Sequence, residues 1–134
     1  MTAVLGAPPS ISTHGLEFGP ENTAVVAGET VVLRCRTDGV ANANVRWWEF
    51  VTTPSGSMIS DGSSIMPGHP YAARYSLILN DSVTYDLQIE PTVIEDGGYY
   101  ACVDSNAVPP SITQLGAQLV IFGKIVLWQL RDKL

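Results

Sequence analysis

An all-β fold, an antiparallel sandwich or barrel, is the class this sequence predicts. Two observations carry the prediction. Apolar residues recur at every second position in a series of short segments, the period of a half-buried strand. Glycine and proline clusters separate those segments, and the 3.6-residue period of a helix is nearly absent.

Taken in order, residues 1–14 are small, contain prolines and show no period, so they read as a loose lead-in. "VVLRC" sets Val31, Leu33 and Cys35 on one face and Val32 and Arg34 on the other. "NVRWWEF" turns Val45 and Trp47 inward. "RYSLIL" aligns Tyr75, Leu77 and Leu79, and "TYDLQI" aligns Tyr85, Leu87 and Ile89. "YYACV" (99–103) and "AQLVIF" (117–122) complete the set. One helical turn is expected in "PTVIEDG" (91–97). Residues 123–134 are amphipathic but short and read as a linker or an edge segment.

The 134 residues suit one domain. Apolar residues make up 46%, enough for a core, and charged residues only 15%, too few for a fold resting on ion-pair networks. The net charge is -6 and no Lys/Arg cluster appears. Binding to phosphate backbones requires a basic stripe, so nucleic acid and anionic membrane surfaces are not expected partners. The longest apolar run near the end is Ile125–Trp128, far below the roughly twenty residues that span a bilayer. The start lacks a basic n-region and a long apolar stretch, so it is not an intact signal peptide. A mature extracellular domain and a cytosolic protein would both begin this way.

Chemistry-bearing patterns are missing. His14 and His69 lie far apart and read as solvated loop residues. There is no Cys/His metal spacing, no phosphate-cradling glycine loop and no calcium-loop pattern among Asp38, Asp61 and Asp104. No catalytic residue, metal or cofactor is expected.

One constellation is specific. Cys35 ends a strand, Trp47 follows twelve positions later, and "DGGYYAC" closes on Cys102. This resembles the immunoglobulin superfamily, in particular its variable-type (V-set) domains, over about residues 16–122. The resemblance implies a two-sheet antiparallel sandwich with Greek-key connections and one inter-sheet disulfide, Cys35–Cys102. Two free buried thiols in a cytosolic protein are the alternative. Trp47 would pack on the bridge, Tyr100 would bond back to the backbone as the corner tyrosine, and Asp96 would pair with Arg74. Two extra strands would fit between Trp47 and Arg74. A disulfide implies an oxidising compartment, hence a secreted protein or a cell-surface ectodomain. The chain departs from antibody-type domains in "TQLGAQLVI", which keeps Gly116 but lacks the aromatic and the first glycine of the joining pattern. That puts the usual bulge of the last strand in doubt. Thr92 stands where an apolar core residue is common, with Val93 or Ile94 as candidates to compensate.

If Trp47 points inward, Arg46, Trp48 and Phe50 point outward. If Tyr100 and Cys102 point inward, Tyr99, Ala101 and Val103 point outward. The resemblance makes these strands neighbours, in the sheet that the family letters G-F-C-C'. Arg46, Trp48, Phe50, Tyr99 and Val103 therefore form a candidate partner-binding patch, unless another segment of the chain folds over it. Three loops offer a second candidate site, with Asp38 and Asn42 in the first, Asp61 in the second, and Asp104, Asn106 and Pro109 in the third. "NDS" at 80–82 makes Asn80 a glycosylation acceptor in a turn. The expected function is an extracellular recognition module of immune-receptor type, binding a protein ligand or another immunoglobulin-like domain. The alternative is an adhesion or structural module that self-associates, as a homodimer, through the aromatic sheet.

Overall fold

The structure, a computed structural model, describes residues 16–39, 44–105 and 113–123. Its strands are β1 (Leu16–Phe18), β2 (Thr23–Val26), β3 (Val31–Leu33), β4 (Arg36–Thr37), β5 (Val45–Glu49) and β6 (Ser57–Asp61). They continue with β7 (Ser64–Ile65), β8 (Tyr75–Ile78), β9 (Asp86–Ile89), β10 (Gly98–Asp104) and β11 (Thr113–Phe122). Short 3₁₀ turns precede β8 (Ala72–Arg74) and β10 (Ile94–Asp96), the second falling inside the segment where one helical turn was expected. The segments expected between Val31 and Phe122 appear in chain order, whereas β1, β2 and β4 lie outside them.

Six strands build the larger sheet in the order β2-β11-β10-β5-β6-β7, and three build the opposing one, β3-β9-β8. A short pair, β1-β4, stands beside them. The ladders are antiparallel except for β11 with β2, which run parallel. The sandwich is thus mixed at one edge rather than wholly antiparallel.

Alternation explains the core. Val31, Leu33 and Cys35 from one sheet meet Val45, Trp47, Tyr100, Cys102 and Leu119 from the other, all at most 5% exposed. The Cys35–Cys102 disulfide joins the two sheets, with Cα atoms 6.4 Å apart. Trp47 is fully buried and its indole Nε1–H donates to the Tyr85 carbonyl at 2.7 Å.

Four local expectations change. "VVLRC" is not one strand: the Asp86 carboxylate accepts the Cys35 N–H at 3.0 Å, which a neighbouring strand would otherwise take, and the strand breaks between β3 and β4. Leu79 leaves the sheet and is 40% exposed. β10 and β11 pair without interruption from Gly98↔Leu119 to Asp104↔Thr113, so the last strand carries no bulge along that ladder. Thr92 needs no apolar substitute, because its hydroxyl donates to the Glu29 carbonyl at 2.8 Å inside the core, while Ile94 is half-exposed.

Candidate binding face on the six-stranded sheet

Register fixes which side chains share the outer face. Across β5, β10 and β11 one row reads Trp48–Ala101–Gly116, and Arg46 stands opposite Val103 across β5 and β10. Tyr99 pairs with Gln118, and Trp48 pairs with Met58 on β6. Trp48, Phe50 and Met58 are partly exposed and Tyr99 is 37% exposed.

The aromatic residues are arranged by glycines. Phe50 and Tyr99 tilt against each other, ring centroids 5.7 Å apart. The Tyr99 ring lies over Gly116, where a methyl group would collide with its hydroxyl. The Phe50 ring lies against Gly56, in the β5–β6 turn, where a Cβ would sit 2.6 Å from Cε2. That turn covers part of Phe50. At Gly98 the backbone has φ 152° and a Cβ would meet Val51 at 2.8 Å, so only glycine starts β10 without strain.

Two positions assigned to binding are corrected. Val103 faces outward but is only 8% exposed, because a short side chain on a strand flanked on both sides is shaded by longer neighbours such as Arg46 opposite it. Asp104 is not a loop residue. It ends β10, is buried, and accepts the Asn44 N–H at 3.0 Å. Arg46 and Asp61 pair at 3.1 Å at the margin of the face, on adjacent strands β5 and β6. Asp38 is exposed, and Asn80 is exposed in the bend after β8. Asn42, Asn106, Pro109 and the tail from residue 124, like His14, lie outside the described residues.

Behind the face stands Asp96. Its carboxylate takes two hydrogen bonds from the Arg74 guanidinium, at 2.5 and 2.9 Å. Its backbone carbonyl accepts the Tyr100 hydroxyl at 2.6 Å. Burial pushes the Tyr100 hydroxyl pKa well up, keeping it a donor.

Sequence reasoning missed two groups. Val120 and Phe122 extend the outer face along β11, 45% and 44% exposed, next to Ala24 and Val26 of β2. The alternation of β11 already implied this, since Leu119 is inward. The second group is a buried pair. Glu49, fully buried on the inner side of β5, accepts from the N–H groups of Val51 and Thr52 at 2.7 and 2.8 Å. It also accepts the Thr52 hydroxyl at 2.5 Å and meets His69 Nε2 at 2.6 Å. His69 is 8% exposed, so it is no solvated loop residue. Desolvation pushes the Glu49 carboxyl up, but the hydrogen bonds from Thr52, Val51 and His69 outweigh it and hold the pKa below the usual carboxylate value. The sequence signal was there: continuing the inward series Val45, Trp47 reaches Glu49.

A family profile described as "Immunoglobulin domain" matches residues 8–106. The chain belongs to the immunoglobulin domain family. Among curated relatives this immunoglobulin domain is 28% identical over 106 residues to protein sidekick-2 of Mus musculus, covering 79% of the chain and 4% of that protein. It is 30% identical over 111 residues to immunoglobulin superfamily member 10 of Rattus norvegicus, covering 80% of the chain and 4% of that protein. The domain thus spans only a few per cent of the curated relatives it matches. In fold it is similar to Dpr1 IG1, solved bound to DIP-eta IG1, with TM-score 0.67 and 15% identity over 83% of this chain and 97% of the other. The RIG-5 IG1 homodimer matches with TM-score 0.66 and 16% identity, over 80% and 95% of the two chains.

Proposed function

We propose that this domain is an extracellular adhesion-type module that docks a second immunoglobulin domain through the outer face of its six-stranded sheet. The observation that carries the reading is the contiguous apolar face built from Trp48, Phe50, Met58 and Tyr99. Exposed aromatic surface of this kind costs solubility unless a partner covers it. Two of the similar structures were solved as pairs of immunoglobulin domains, one of unlike domains and one of like domains, which supports a partner of the same class. We read the partner as a second copy of this domain. The disulfide supports an oxidising, extracellular compartment. The β6–β7 hairpin added beyond β5 supports the variable-type assignment. Asn80, on the turn after β8, is read as a glycan acceptor away from the face.

An immune-receptor reading would place recognition in the loops. Of the loop residues that supported it, Asp104 is buried and Asp61 is engaged by Arg46, so the sheet face is the better-supported site.

Sedimentation velocity over a wide concentration range tests the reading. A reversible dimer is expected, shifting to monomer on Tyr99→Ala or Trp48→Ala while the circular dichroism spectrum stays unchanged. A wild-type protein that stays monomeric at every concentration would overturn self-docking.

A further inference from the structure

Both ring nitrogens of His69 are committed. The Tyr71 N–H donates to Nδ1 at 3.0 Å, so Nδ1 is an acceptor and carries no proton. The ring proton therefore sits on Nε2 and points at Glu49 Oε2, 2.6 Å away. One donor and one acceptor are the full inventory of a neutral imidazole.

A second proton has one place to go, which is Nδ1. The Tyr71 N–H already points there, and two donors cannot share one hydrogen bond. The other side of the ring responds oppositely: a cationic imidazole strengthens its bond to the Glu49 carboxylate. That carboxylate stays anchored by Val51 and Thr52 whatever His69 does. Protonation therefore acts on one side only.

The groups that face the ring fit this asymmetry. Glu49 comes from β5, Thr52 reaches the same carboxylate from the following turn, and Tyr75 of β8 meets the ring edge-on at 5.1 Å. Tyr71 tilts against it at 5.7 Å. Beyond Tyr71, Arg74 stacks over the Tyr71 ring at 4.9 Å with its charge paired to Asp96. A charge on His69 would set a second cation beside Tyr71. The Tyr71 amide leads directly into the turn Ala72–Arg74, which carries the chain from the β7 edge into β8.

We propose that His69 is a proton-responsive clasp. Neutral, it ties Tyr71 to Glu49 and holds the segment between β7 and β8 against β5. Protonated, it keeps Glu49 and frees the Tyr71 amide, while the backbone bonds from the Ala72 N–H to the His69 carbonyl and from the Arg74 N–H to the Tyr71 carbonyl remain. The clasp rests on the geometry of the pair and is independent of what the sheet face binds.

Nuclear magnetic resonance on the whole chain tests it. Long-range ¹H–¹⁵N spectra at neutral pH are expected to show the Nε2–H tautomer alone. Titration toward the acidic side is expected to move the Tyr71 amide together with the His69 ring signals. The Tyr71 amide should lose about tenfold in exchange protection, the loss of one hydrogen bond, while the Thr52 amide holds. In His69→Gln the carboxamide supplies a donor and an acceptor that do not titrate, so the Tyr71 response should vanish. An Nδ1–H tautomer, or a Tyr71 amide indifferent to His69 charging, overturns the proposal, as does a His69 that never charges before the protein unfolds. The wild-type titration decides the matter even if His69→Gln does not fold.

Discussion

Asp96 shows how much one residue can hold. Its carboxylate has no solvent exposure and satisfies Arg74 and the Val93 N–H, while its backbone carbonyl takes the Tyr100 hydroxyl. Removing one partner of a buried pair costs about 3–5 kcal/mol, because the other charge is left behind. Arg74 keeps a partly solvated side chain, so Asp96→Asn should fall near the low end of that range. Tyr100→Phe removes one bond and orphans a carbonyl, for about 1–2 kcal/mol. Urea denaturation of both variants checks the order, Asp96→Asn being the more damaging. Gly116 poses a different residue-level question. Gly116→Ala would push the Tyr99 ring aside, from its hydroxyl to Cε2, and because an exposed ring can move, the stability loss should fall at the low end of the about 1–3 kcal/mol of an overpacked contact. Association should weaken all the same, because Tyr99 no longer lies flat on the face. A thermal melt beside a sedimentation run separates the two effects.

At the scale of elements, the end of β5 does more than its length suggests. Glu49 ties β5 to the β5–β6 turn and to the segment leading into β8. Its folded-state pKa is depressed, so the unfolded chain takes up the proton first as pH falls. The stability it contributes is complete above its unfolded pKa, about 4.3, and is lost as pH drops through that value toward the lower folded one. Glu49→Gln should therefore flatten acid unfolding below about pH 5, measured as the urea midpoint against pH. This element also shows what the sequence could reveal. Cys35, Trp47 and Cys102 were legible because a disulfide-centred core tolerates few residue types at fixed spacing. Glu49 continued the same alternation, but polarity argued against burial, and only a partner distant in sequence resolves that conflict. His69 gave no signal, since it lies in "PGHP", where periodicity carries no information. Val103 was oriented rightly and its exposure wrongly, because alternation gives direction while accessibility depends on neighbouring strands.

At the scale of the whole molecule, two sheets are stapled by one bridge that closes a 67-residue separation. Chain-entropy arithmetic for a loop of that size gives about 4 kcal/mol, acting chiefly on the unfolded state. Domain stabilities run about 5–15 kcal/mol, so the bridge is a large share without being the whole. The rest comes from packing that remains when the sulfurs separate: Trp47, Leu33, Leu87, Ile89 and Leu119 are fully buried apart from the bridge. The reduced domain is therefore expected to stay folded at 25 °C with a lower margin. With a urea slope of about 1–3 kcal/mol/M, the midpoint should fall by roughly 1–4 M on reduction. The slope should change as well, because an uncrosslinked unfolded chain exposes more surface. Cys35→Ala/Cys102→Ala, measured without reductant, should give a similar drop. A double variant that unfolds outright in water would mean that the two sheets cannot hold together by packing alone.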